Sequence, residues 1–177
     1  MTTEMTTVLW DERAIQNAML EFGRTLDAGD WEGHRACLKE VVAMDFKRLT
    51  GFDVVRVRAD DWVEFAKQIL SPVRRHHTYT NFRPRIEGDR AFLTLKQTSR
   101  HWKSSDTGNS DYTQYGSYDV WFDRVGESWK IDYLKHDFVW SDGNNALFDM
   151  REPALVAALE RVFCEENFAA AAANPPI

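Results

Sequence analysis

The chain has 177 residues, 44% hydrophobic and 28% charged, which fits one folded domain with a sizeable core and excludes a disordered polymer. Its formal net charge of -6 opposes the Lys- and Arg-rich surfaces that hold nucleic acid or an anionic membrane, so neither is expected as a partner. Seven Trp, eleven Phe and five Tyr exceed what a core of this size needs and hint at an apolar ligand cavity. The two cysteines, Cys37 and Cys164, form no CxxC or zinc spacing, the N-terminus has no signal-peptide pattern, and no apolar run reaches membrane-spanning length. A reduced, cytoplasmic, single-domain protein is therefore expected.

Residues 1–10 read as a flexible arm, residues 11–168 as the domain and residues 169–177 as a frayed tail. From Asp11, which can cap a first turn, Ile15, Met19, Phe22 and Leu26 recur every three to four residues on one helix face. Asp27-Ala28-Gly29-Asp30 ends that helix, and Asp30 is placed to cap a second from Trp31 to about Leu38. Residues 41–48 and 54–58 read as extended. A third helix carries Trp62, Phe65, Ala66, Ile69 and Leu70 and stops near Pro72.

Strands follow. His76 to Glu87 turns at Gly88-Asp89 into Arg90 to Trp102, where Ala91, Leu93 and Leu95 alternate with polar neighbours. A polar loop spans 103–111. Tyr112 to Val125 and Ser128 to Trp140 are joined at Gly126-Glu127, and Pro153 opens a closing helix. Three helices followed by long antiparallel strands predict an α+β fold: a cone-shaped, cystatin-like roll with helices across a strongly curved, mixed or antiparallel sheet, a C-terminal helix and a pocket at the wide end.

Three stretches carry a family resemblance. Phe22-Gly23-Arg24-Thr25-Leu26-Asp27-Ala28-Gly29-Asp30-Trp31 resembles the end of the first helix in SnoaL-like proteins. His76-His77-Thr78-Tyr79-Thr80-Asn81 and Ile86-Glu87-Gly88-Asp89-Arg90-Ala91 resemble the His-x-x-x-Asn strand and Gly-Asp-x-Ala hairpin of the same group. Tyr118-Asp119-Val120-Trp121-Phe122 and Ser128-Trp129-Lys130-Ile131 are similar to the paired terminal strands of the nuclear transport factor 2-like superfamily. The likeness points to its SnoaL-like, scytalone-dehydratase-like branch.

That resemblance implies a cofactor-independent, metal-free lyase or isomerase: a dehydratase, a ketosteroid-isomerase-like enzyme or a polyketide cyclase. Its substrate would be a small apolar cyclic compound, polyketide-like or steroid-like. The matching positions make His77 the general base and Asp27 the carboxylate that orients it. Histidine suits the task because its unperturbed pKa lies near 6.5. His76 is the competing residue, but neighbours on a strand face opposite sides and the register selects His77. Asn81, sharing that face, and Phe22, Tyr115 and His136 are the expected substrate contacts, with Tyr133 a further donor candidate. The alternative is a non-catalytic binding or assembly module similar to the small subunit of aromatic-ring dioxygenases, its cone filled by its own side chains. A homo-oligomer, dimer or trimer, is expected either way.

Overall fold

The computed structural model describes residues 3–105 and 108–175. Among the described residues, six α-helices and six strands occur in the order α1 (Thr3–Ala28), α2 (Trp31–Ala36), β1 (Leu38–Asp45), α3 (Lys47–Thr50), β2 (Val55–Arg58), α4 (Ala59–Leu70), β3 (Arg74–Glu87), β4 (Arg90–Ser105), β5 (Gly108–Val125), β6 (Ser128–Gly143), α5 (Pro153–Val162) and α6 (Glu165–Ala173), with a 3-10 turn at Asn145–Leu147 before α5. The strands form one mixed sheet, ordered β2-β1-β6-β5-β4-β3. β1 runs parallel to β6 and every other pair is antiparallel. This is the curved α+β cone that the pattern predicts. No helix among the described residues is long and apolar enough to cross a membrane.

Several boundaries differ from the sequence reading. Residues 103–105 and 108–111, expected as a polar loop, are strand, since β4 continues to Ser105 and β5 opens at Gly108. Residues 3–10, expected as a loose arm, extend α1 upstream. No Gly or Pro interrupts them, and each residue added to a nucleated helix closes another hydrogen bond. Residues 169–173, expected to fray, are helical because alanine has the highest helix propensity, and Pro175 follows the stop. Residues 46–48, expected as extended, leave the sheet for α3, which closes at Gly51 with φ 82°. Residues 1, 2, 176 and 177 of the predicted arm and tail, and 106 and 107 of the predicted loop, lie outside the described residues.

The core forms where the stripe of α1 meets the inner face of the sheet. Ile15, Met19, Phe22 and Leu26 are buried, as are Leu93, Leu95, Val120, Phe122, Ile131 and Leu134. β4 buries every second residue from Ala91 to His101, as the two-residue period of a strand requires. Its inner face changes character midway: Ala91, Leu93 and Leu95 give way to Gln97, Ser99 and His101, all still buried. The apolar half closes the narrow end of the cone and the polar half lines the wide end.

Strand bulges set which side chains face inward. The β3–β4 register shifts between Thr80 and Arg83, where Asn81 has φ 58°. The β5–β6 register shifts between Tyr115 and Gly116, and again between Trp121 and Phe122. Each shift bends the sheet and changes the alternation beyond it. α1 is seated on β3 at Gly23, where a Cβ would lie 2.6 Å from Cε2 of Tyr79. The Tyr79 ring is itself buried. Gly23→Ala is therefore expected to lower stability by about 1–3 kcal/mol through overpacking, measured as a fall in the urea midpoint. An unchanged midpoint would contradict a tight seam between α1 and β3.

Candidate active site

The end of α1 is fixed by its own backbone. Gly29, at φ 70°, lets its N–H reach the Leu26 carbonyl (3.2 Å), while the Asp30 N–H reaches the Thr25 carbonyl (2.9 Å). Glycine supplies the left-handed residue that this helix stop needs. The Asp30 side chain then accepts from the Gly33 N–H at 2.9 Å and caps α2. Asp30 thus does the capping its sequence position suggests.

Asp27 occupies the last turn of α1, where a negative charge opposes the helix dipole. Its compensation comes from β3. One carboxylate oxygen accepts the backbone N–H of His77 at 2.9 Å, and the other accepts its ring Nδ1–H at 2.6 Å. Burial alone would raise the Asp27 pKa, but the two His77 donors outweigh it and hold the carboxyl below its ordinary value. With Nδ1 committed to Asp27, Nε2 is the ring nitrogen left for chemistry. The His77 side chain is 5% exposed and Asp27 26%, so the pair sits in the wall of the cone.

Beside His77 lies a cavity of about 350 Å³. Phe22, Leu26, Phe46, Trp62, Phe65 and Phe163 give it apolar walls. Ser99, His101, Tyr112, Gln114 and Tyr118 form a polar wall on β4 and β5, and Asn145, Phe148 and Met150 border it from the segment after β6. His34 enters from α2. Its Nδ1 lies 3.2 Å from the Thr25 hydroxyl, whose proton goes to the Phe22 carbonyl, so the ring donates through Nδ1. Burial pushes the pKa of His34 down to about 4, and that of His101 likewise to about 4. Both rings are neutral at neutral pH. Among the described residues no group of three or more His, Cys, Asp or Glu is arranged to hold a metal ion.

Of the residues singled out from sequence, Asp27 and His77 are brought together and Phe22 lines the cavity. The other three expected substrate contacts lie elsewhere. Asn81 is exposed, because the β3 bulge turns it out of the inner face. Tyr115 stacks on Trp140 at 4.0 Å and, with His76, lines a groove on the opposite side of the sheet. His136 faces inward but lies behind the cavity wall, 1% exposed, with its Nε2 2.6 Å from the Gln97 side-chain nitrogen. Tyr133 is also turned away, its hydroxyl 3.1 Å from Asp45. The sequence reading missed His34, Ser99 and His101. For the last two a signal exists: Gln97-x-Ser99-x-His101 continues the buried alternation of Ala91-x-Leu93-x-Leu95 with polar residues, as a strand does when it leaves a core and lines a cavity.

Comparison with known proteins places this geometry in context. A family described as the SnoaL-like domain matches residues 7–135. No match is found among curated proteins. Among solved structures, the Kfla4162 protein of Kribbella flavida superposes with a TM-score of 0.74 at 20% identity, covering 79% of this chain and 97% of the other. A candidate scytalone dehydratase from Novosphingobium aromaticivorans gives 0.70 at 18% identity, covering 80% and 92%. The hexachlorocyclohexane dehydrochlorinase LinA-type3 of Novosphingobium barchaimii gives 0.63 at 13% identity, covering 81% and 97%. At these identities the likeness shows a shared fold.

Proposed function

Because the chain belongs to the SnoaL-like domain family, we propose that it is a lyase that eliminates water from a small, largely apolar cyclic ketone bearing a β-hydroxyl group. The observation that carries this reading is the two-point grip of Asp27 on His77 beside an open cavity. Such a carboxylate fixes the imidazole tautomer and stabilises the imidazolium that forms when the free nitrogen takes a proton. A dehydratase and a dehydrochlorinase among the proteins of shared fold agree with elimination chemistry.

The step balances with one histidine. Nε2 of His77 removes the proton from the carbon next to the carbonyl, and the C–H electron pair becomes the enolate. The enolate collapses to the enone and breaks the bond from the β-carbon to oxygen. The departing oxygen takes the proton from the His77 imidazolium and leaves as water, returning the ring to neutrality. Gln114 and Asn145, which also line the cavity, carry amide N–H groups suited to the enolate oxygen. Asp27 acts through His77 and is a positioning residue.

A filled cone would favour the assembly-module alternative, whereas about 350 Å³ of space beside His77 supports an enzyme. The test is to incubate a series of β-hydroxy cyclic ketones with the protein and follow the ultraviolet absorbance of the enone. Elimination by the wild type that His77→Asn abolishes is the expected result. Elimination that survives the substitution contradicts the reading.

A further inference from the structure

Behind the cavity wall runs a chain of buried polar side chains that the proposed step does not use. Ser99, Gln97 and His136 are 2%, 2% and 1% exposed. Ser99 Oγ donates to Gln97 Oε1 at 2.6 Å, and the Gln97 amide nitrogen lies 2.6 Å from His136 Nε2. Tyr118, on β5, lines the same cavity as Ser99. Proton bookkeeping fixes the direction of every link. An amide NH₂ can only donate, so His136 Nε2 accepts and its proton sits on Nδ1, which is buried without a partner. The Gln97 oxygen therefore faces Ser99 and takes its hydroxyl proton. With that proton committed, a lone pair of Ser99 Oγ remains for a ligand.

The position of that lone pair matters. Ser99 is the residue directly opposite His77 across the β3–β4 ladder, and both side chains line the cavity. Directly opposed side chains have Cβ atoms about 4.5–5.5 Å apart. A ligand hydroxyl donating to Ser99 is thus held within reach of the His77 ring. His136, which packs beside Tyr118 and Phe46 (ring centroids 5.1 and 5.4 Å), is locked in the wall and acts only through Gln97.

We infer that Ser99, oriented by Gln97 and His136, forms a hydroxyl-reading subsite that accepts the proton of the ligand's β-hydroxyl and turns that oxygen's lone pairs toward His77. The inference deepens the elimination reading and rests on it for the identity of the hydroxyl. Ser99 contacts the ligand as a specificity-determining residue, while Gln97 and His136 are positioning residues. Because Ser99 presents an acceptor and no donor, the subsite selects an alcohol over an ether or a second ketone at that position.

The experiment uses two probes: a phenyl-bearing β-hydroxycyclohexanone and the same ketone without the hydroxyl. Their affinities are measured by quenching of tryptophan fluorescence in the His77→Asn protein, where elimination cannot consume the probe. The hydroxylated probe is expected to bind about tenfold more tightly, the scale of one buried neutral hydrogen bond. Ser99→Ala in the same background is expected to erase that preference, and Ser99→Thr, which keeps the hydroxyl, to retain it. Equal or undetectable binding of the two probes before the Ser99 change overturns the subsite, and so does a preference that survives Ser99→Ala. The two readings separate cleanly. Elimination by the wild type with no Ser99-dependent preference removes the subsite alone, and a Ser99-dependent preference without elimination removes the reaction alone.

Discussion

Replacing Asp27 by Asn is expected to lower the turnover number by a factor of about 10²–10⁴, the contribution of a positioned general base, although the change is isosteric. The carboxylate accepts two N–H groups at once, the His77 ring Nδ1–H at 2.6 Å and the His77 backbone N–H at 2.9 Å. An amide has one oxygen. If that oxygen keeps the backbone N–H, the NH₂ group faces Nδ1, which must then give up its proton. The ring changes tautomer, and Nε2 carries a proton where the reaction needs a lone pair. If the oxygen keeps the ring, the NH₂ group opposes the backbone N–H and the end of α1 is pushed off β3. The first outcome leaves the affinity for substrate nearly unchanged and removes turnover, and the second also lowers the melting temperature. Kinetics and thermal denaturation of Asp27→Asn beside His77→Asn check this, and the double substitution should be no worse than the worse single one. Independent, multiplying losses would show that the two residues do not act as a unit.

Acid is expected to unfold the protein well above the carboxylate range. His34, His101 and His136 each have a pKa pushed down to about 4, burial being the largest cause in all three, and the nearby His77 also lowers each of them. The unfolded chain binds protons on these rings near pH 6.5, the folded chain only near pH 4. Between those values the unfolded state holds more protons, so stability falls as pH falls. Each ring accounts for about 3 kcal/mol across that window at 1.36 kcal/mol per unit, and the three together approach the roughly 5–15 kcal/mol by which a domain is folded. Asp27 adds to the loss at lower pH, because its depressed value means that its stabilisation is present above the ordinary carboxylate range and disappears as the group is protonated. Urea titrations at a series of pH values should show stability dropping by up to about 4 kcal/mol per pH unit near pH 5, the slope of three protons. His136→Gln should reduce that slope by about one proton. Stability that stays flat from pH 6.5 to about pH 4 would mean that these rings are solvated.

Both effects depend on what the sequence disclosed and what it concealed. Asp27 and His77 were legible through the family resemblance carried by the stretches Phe22 to Trp31 and His76 to Asn81, which matched their positions to a histidine base and its carboxylate partner. The apolar half of the core was legible from period alone, as in Ile15, Met19, Phe22 and Leu26. Asn81 was misplaced because strand alternation from His77 and Tyr79 was extended through a bulge that a sequence does not announce, so it changed sides. Tyr115 was named without a strand face, and the unbroken alternation of β5, with Tyr112, Gln114 and Tyr118 inward, puts it on the outer one. His136 kept its face but not its role, since Gln97 stands between it and the cavity. His34 lies in a six-residue helix too short for any period to show. Ser99 and His101 were readable in principle, as polar residues continuing a buried alternation, but a polar residue at an inward position resembles surface until the opposing wall is known.

The central claim is that His77 takes a proton from carbon next to a carbonyl, and isotope exchange tests it most directly. A β-hydroxy cyclic ketone incubated with the protein in heavy water, and followed by proton magnetic resonance, should incorporate deuterium at the α-carbon faster than in buffer. His77→Asn should return that rate to the buffer value. Exchange at the same rate with wild type, variant and buffer would contradict proton abstraction by His77.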